Sequence, residues 1–293
     1  MLYLHARVCV MQNKDQQWLL EEKYSGNTNA PGYKEDLARL ASGEPVAYVI
    51  GFQPFLGLKI YLDSKPLIPR PETEWWTEHL ISFVLNAQKK KVEERDSASQ
   101  SNFHPYGYFA ASSAEKYAAP KMSFVAPVKI LDLCAGSGAI GCAILSKIPN
   151  VEVSFGELDA IHKVTIEKNI QDNNLDIARA HVRIGDLFAP FADQAFDFIA
   201  VNPPYIPRNR VLEKSVSEYE PARALFSEDD GLGLIRRIAK ELPHHLNKGG
   251  AAWIECDHTT IKAGKGLFEE VGFRVEICSD QYEVPRLLVV SFP

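Results

Sequence analysis

Residues 131–141 read Leu-Asp-Leu-Cys-Ala-Gly-Ser-Gly-Ala-Ile-Gly, an apolar run that closes on a carboxylate and breaks into glycines. "VKILDLC" before the break reads as a strand and "AIGCAILSKI" after it as a helix. Gly136, Gly138 and Gly141 fit G-x-G-x-x-G. Glycine lets the backbone approach a ligand closely, and free N–H groups at a helix start attract negative charge. Strand, glycine turn and helix form the opening unit of an α/β sheet that binds a ligand at the carboxyl ends of its strands.

The pattern continues outward on both sides. "VEVSFGEL", "HVRIGDLF", "FDFIAV" and "AAWIECD" are strand candidates. "IHKVTIEKNIQDN", "GLGLIRRIAKELPHHL" and "TTIKAGKGLFEEV" are helical segments between most of them. The alternation predicts an α/β fold with a doubly wound parallel sheet, and "FRVEICS" with "RLLVVSF" predicts a hairpin at one edge, for seven strands in all. Upstream, "QQWLLEEK" and "KEDLARLA" predict a small helical N-terminal unit over 1–45. Residues 46–70 read as a β-hairpin connector ending in a Pro-stiffened loop, and residues 71–293 as the main domain. It opens on a helix whose apolar face holds Trp75, Trp76, Leu80, Val84 and Leu85. Residues 89–123 begin with a charge run and lose periodicity, which predicts a solvated, mobile insertion.

Composition narrows the function classes. No stretch approaches the roughly 20 apolar residues of a membrane span. A formal net charge of -6 disfavours bulk nucleic acid as the main ligand, because phosphate neutralisation needs clustered Lys and Arg. Cys9, Cys134, Cys142, Cys256 and Cys278 show no C-x-x-C spacing, so reduced, buried thiols are expected and no metal site. The first fourteen residues hold Arg7 and Lys14 with no acid before Asp15, compatible with a mitochondrial presequence and equally with a plain N-terminus.

Glu157 closes the second strand about twenty residues past the glycines, where an acid can accept from both hydroxyls of a ribose. A nicotinamide dehydrogenase and an S-adenosylmethionine-dependent methyltransferase both use such an arrangement. Asp132, four residues before Gly136, favours the methyltransferase, since a carboxylate there suits a ligand with an ammonium group. Asp186 closes the third strand, where it could accept from an adenine amine. At the end of the fourth strand stands Asn202-Pro203-Pro204-Tyr205. Prolines cannot donate to a sheet ladder, so the strand stops there, and the corner faces the methyl group. Planar nitrogens are poor nucleophiles, their lone pair being delocalised. The Asn202 side-chain oxygen and the Pro203 carbonyl can each accept one N–H and aim the nitrogen, while Tyr205 stacks on the planar group.

"LDLCAGSGAIG", "GDLF" and "NPPYIP", with "GEPVAYVIG" and "LIPRPETE" upstream and "YEPARAL" and "EDDGLGLIRRI" downstream, resemble the HemK/PrmC family from Trp18 to the C-terminus. That family methylates the glutamine side-chain amide in the Gly-Gly-Gln loop of peptide chain release factors. The resemblance implies a Rossmann-like, seven-stranded class I methyltransferase sheet, with S-adenosyl-L-methionine as cofactor and a release factor as partner. It implies donor-binding positions at Asp132, Gly136, Gly138, Glu157, Asp186 and Asn202, and catalytic and substrate-binding positions at Asn202, Pro203, Pro204 and Tyr205. Arg70, presented between two prolines, is expected to engage the substrate. Here the ribose acid is Glu where the family more often has Asp, the N-terminal unit is shorter and the insertion longer. The long insertion is more similar to a fungal mitochondrial member than to a compact bacterial one, with the cytoplasm as the alternative location. "NPPY" is shared with N6-adenine methyltransferases, the competing enzymatic reading, which would need base extrusion. A non-catalytic donor-binding subunit would keep the fold without needing that corner.

Overall fold

The structure, a computed structural model, describes residues 14–96 and 126–293. The presequence expectation, Cys9 and most of the expected insertion lie outside the described residues.

The N-terminal unit is helical, as its periodicity requires. Helix α1 runs through residues 14–24, and α2 spans Tyr33–Ala41. They pack through Leu19, Tyr24 and Tyr33 and are tied by Asp36, which accepts from the Tyr24 hydroxyl and pairs with Lys23 and Arg39. The connector differs from expectation at its start. Val46–Ile50 is a short helix, α3, with four of its five side chains buried, and Gly51 ends it at φ 104°. The expected hairpin follows, with β1 at Phe52–Phe55 antiparallel to β2 at Leu58–Tyr61.

Helix α4 spans Pro71–Asp96, so residues 89–96, expected to open the insertion, continue the helix instead. Lys and Glu are good helix formers, and they carry the helix past its apolar face. The glycine stretch then joins β3 (Val128–Leu133) to α5 (Ala139–Lys147), followed by β4 (Val151–Glu157), α6 (Ile161–Asp172), β5 (Ala180–Ile184) and β6 (Phe196–Val201). Past the proline corner, the two-residue strand β7 (Ile206–Pro207) leads to two single-turn helices, α7 (Lys214–Ser217) and α8 (Ala222–Leu225), and to β8 (Phe226–Ser227), which pairs with β7. The chain ends with α9 (Gly233–His245), β9 (Leu246–Glu255), α10 (Ile261–Glu269), β10 (Arg274–Ser279) and β11 (Pro285–Ser291).

The seven-stranded sheet has the order β10-β11-β9-β6-β3-β4-β5. Strands β3, β4, β5, β6 and β9 run parallel, and the terminal hairpin adds antiparallel. One apolar layer joins α4, α5 and α6 to the sheet through Trp76, Leu80, Ile144 and Ile166, and the opposite layer packs α9 and α10 through Ile235, Leu242 and Phe268. This sandwich fixes where the four strand ends carrying Asp132, Glu157, Asp186 and Asn202 lie. Helix α6 also grips the connector. Asn169 and Asn173, one turn apart, each accept an N–H from the outer edge of β2 and donate back to its carbonyls at Tyr61 and Lys59. Asn169 reaches on to the Ser137 carbonyl in the glycine turn.

Candidate active site

The carboxyl ends of β3, β4, β5 and β6 open into one cleft, the place where sheets of this kind bind their ligands. Gly136, Glu157, Asp186, Asn202 and Pro204 line it, together with Cys134, Leu158, His162 and Arg223. Four strand ends separated by up to seventy residues of sequence therefore face a common space.

The glycine turn is shaped by contacts on its underside. Gly138 starts α5 in the left-handed region at φ 78°, and a Cβ on Gly141 would come within 2.2 Å of the Phe155 ring. Gly136 faces the cleft, whereas Gly138 serves the turn from beneath. Cys134 occupies the left-handed region at φ 62°, a conformation that favours glycine. Burial raises its thiol pKa, with Glu157 adding to the effect, so the sulfur stays protonated near neutrality. Its partial exposure departs from the buried thiol expected; Cys142, Cys256 and Cys278 are buried and free.

Glu157 is 8% exposed, and its two oxygens accept the amides of Gly136 and Asp159, each at 2.8 Å. A carboxylate has about four acceptor positions, so capacity remains for the diol of a ribose. Asp132 stands differently from the expectation that it grips an ammonium group directly. It is fully buried and does not line the cleft. One oxygen accepts the Gly141 amide at 2.8 Å, and Oδ1 has no partner among the described residues. Burial pushes its pKa up to about 8, against the lowering influence of the Gly141 amide, and Glu157 adds to the rise. Asp186 lines the cleft as expected, but it comes already paired with Arg237 of α9, at 2.7 Å.

At the β6 corner, Asn202 and Pro204 line the cleft while Pro203 is buried. The Asn202 Nδ2 donates to the Thr73 hydroxyl at 3.1 Å. Tyr205 departs from expectation, because its hydroxyl donates to Glu255 at 2.7 Å and its ring is not among the cleft-lining groups. Gly231, at φ 94°, backs this corner, where a Cβ would come within 2.2 Å of the Tyr205 carbonyl oxygen. Arg70 also departs from expectation. Its guanidinium pairs with the buried Glu220, which accepts the Ile68 amide as well, and Arg70 does not line the cleft. It braces the "IPRPE" loop against the segment after the corner, while Glu74 holds the Leu56 amide of the hairpin turn.

Comparison with known proteins gives this arrangement a family. The domain family described as "Methyltransferase small domain" matches residues 119–219. A release factor glutamine methyltransferase of Rhodopirellula baltica is 28% identical over 94% of this chain and 81% of its own. One from Flavobacterium psychrophilum is 30% identical over 87% of this chain and 78% of its own. The chain belongs to the release factor glutamine methyltransferase family. A solved methyltransferase of Pyrococcus furiosus, 18% identical over 56% of this chain and 74% of its own, superimposes with a TM-score of 0.42.

A methyltransferase of this family needs a donor, and the residues present fit S-adenosylmethionine. The glycine turn leaves room for close approach, Glu157 has acceptor capacity at the cleft wall, and the Asp132 oxygen without a partner leaves an unsatisfied polar atom beneath the turn. Sequence reasoning missed Thr73, Glu255, Glu220 and Arg237. A signal existed for Glu255, an acid closing the fifth parallel strand inside "AAWIECD", at the same sheet edge as the other three. Nothing in a single sequence joins Thr73 to it across 182 residues.

Proposed function

We propose that the protein transfers a methyl group from S-adenosylmethionine to the side-chain amide nitrogen of the glutamine in the Gly-Gly-Gln loop of a peptide chain release factor, in support of translation termination. The observation that carries this is the β6 corner. Asn202 opens into the same cleft as Glu157 and the glycine turn, with its NH2 occupied by Thr73 and its oxygen left over. That oxygen can accept one hydrogen of a primary amide, and the carbonyl of Pro203, the next residue on a backbone that proline stiffens, is our reading of the second acceptor. An amide gripped by both hydrogens cannot rotate, and its nitrogen is presented out of the acceptor plane. Preorganised acceptors of this kind need no reorganisation when charge develops.

The bound donor supplies the electrophilic methyl group. The protein holds the donor by its glycine turn and Glu157, offers the apolar side chains of Leu158 and Pro204 at the cleft wall, and orients the attacking nitrogen at Asn202. Cys134, kept as a thiol, is a poor competing nucleophile in the same cleft.

Incubation with labelled donor and a release factor, its Gln-to-Ala loop variant or DNA tests the reading. Label on the intact release factor alone is expected; label on DNA, or equal label on both release factors, would overturn it. A mitochondrial location is also our reading, supported by the basic, acid-free first fourteen residues. Imaging of a C-terminal fluorescent fusion tests it, and diffuse cytoplasmic signal would refute it.

A further inference from the structure

Beneath the corner lies a chain of hydrogen bonds with a fixed direction. Glu255 is 1% exposed and accepts three donors: the Thr73 hydroxyl at 2.7 Å, the Trp76 indole N–H at 2.8 Å and the Tyr205 hydroxyl at 2.7 Å. An indole N–H only donates, and a hydroxyl has one proton, so with Thr73 donating to Glu255 that proton is committed there. The Thr73 oxygen can then only accept from its remaining neighbour, Asn202.

An asparagine amide is nearly symmetric in shape and opposite in polarity at its two ends. Flipped, Asn202 would turn its NH2 toward the cleft, donor against donor for an incoming N–H. Its oxygen would meet the Thr73 oxygen, which has no proton left to offer. We propose that Thr73 and Glu255 are positioning residues that set the polarity of the Asn202 amide, so that Oδ1 and not Nδ2 meets the substrate. Neither touches the cleft; Thr73 is 3% exposed and acts only through Asn202. Glu255 orients the far side of the corner too. Burial and Glu255 itself hold Tyr205 well above its ordinary pKa, so its phenol stays a donor. One buried acid thus braces both residues flanking Pro203 and Pro204, by one contact through Thr73 and one direct. Thr73 sits in the first turn of α4, and the loop that leads into that turn is the one braced by Arg70 and Glu220, which gives "IPRPETE" a part in catalysis without substrate contact.

This rests on the glutamine reading only in naming whose N–H meets Oδ1. The test compares Thr73→Val, close in shape but without the hydroxyl, with Thr73→Ser, which restores it. Losing a charge-assisted orientation should lower kcat of Thr73→Val by about 10- to 100-fold. Its affinity for S-adenosylhomocysteine should stay within about two-fold, since the donor rests on other residues, and Thr73→Ser should recover most of the rate. In an Asn202→Ala background the same Thr73→Val change should have no further effect on kcat. Near wild-type kcat in Thr73→Val, a loss that Thr73→Ser fails to restore, or losses that add with Asn202→Ala would each overturn the proposal. The Asn202 side-chain NH2 signal in NMR, protected from exchange in the wild type and exposed in Thr73→Val, reads the polarity without substrate. An unprotected wild-type signal would refute it. A wild-type enzyme that leaves release factor unlabelled would instead refute the functional reading, and the NH2 signal would still decide the orientation.

Discussion

Replacing Glu157 by Ala separates its two tasks, and the structure sets the size of each. The side chain accepts two backbone amides at 2.8 Å, from Gly136 and Asp159. Each hydrogen bond to a charged acceptor contributes about 1.5–3 kcal/mol. Water entering the cleft would replace part of what is lost, so the apo protein should lose about 2–4 kcal/mol. Urea unfolding reads that cost. The second task is accepting the donor's ribose hydroxyls, and its loss should weaken S-adenosylhomocysteine by about 1.5–3 kcal/mol, or about 10- to 150-fold in Kd by calorimetry. Collapse of the turn could mimic that loss, so the titration is repeated with an analogue lacking both ribose hydroxyls. Direct recognition requires the Glu157→Ala penalty to shrink toward zero for the analogue. An equal penalty for both ligands would show that Glu157 merely shapes the turn.

Asn202→Ala should cost about 100- to 1,000-fold in single-turnover methyl transfer while leaving donor affinity nearly unchanged. Asn202→Asp should be comparably impaired, because its second oxygen would face a Thr73 oxygen whose proton is engaged by Glu255; retention of most of the rate would contradict the hydrogen-bond direction. Cys134→Gly removes a side chain from φ 62° and should stabilise the apo protein by about 1 kcal/mol, read as a higher unfolding midpoint; no gain would mean that the thiol's packing offsets the backbone cost. Asp132 makes stability depend on pH. Its pKa is about 8 when folded against an ordinary 3.8, so its contribution is fully present below pH 3.8 and drains away as pH rises through about 8. Relative to Asp132→Asn, the apo protein should lose stability between pH 5 and pH 8 in chemical denaturation; parallel profiles would refute this.

The sheet was legible because its strands are apolar runs separated by helical periodicity, and the carboxyl edge follows from that alternation. Glu157 and Asp186 could be placed at the cleft by their position at strand ends. Asp132 could not be, because a strand-end acid points into the cleft or under the turn according to side-chain direction, which spacing leaves open. Val46–Ile50 misled for a related reason: five apolar residues carry no period, and Gly51 turns the chain out of a helix as readily as out of a strand. The charge run after residue 88 suggested solvated chain because it has no apolar period, yet its Lys and Glu residues favour helix and α4 runs on to Asp96. The pairings that adjust the site, Thr73 with Glu255 and Arg70 with Glu220, span 182 and 150 residues. Each partner alone reads as an ordinary polar residue.

The asparagine grip on β2 has a consequence for the growing chain. A two-stranded hairpin is marginal by itself, and its open edge is a template for pairing with another chain. Here that edge is occupied by side chains of α6, and Tyr61 waits for a partner 108 residues further along. At a synthesis rate of about 5–20 residues per second, the interval is about 5–20 s, far longer than a hairpin takes to form. Throughout that interval Lys59 and Tyr61 have no asparagines to satisfy them. Nascent chains of this protein therefore leave this edge open to other partners while the strands that build its catalytic sheet are still being made.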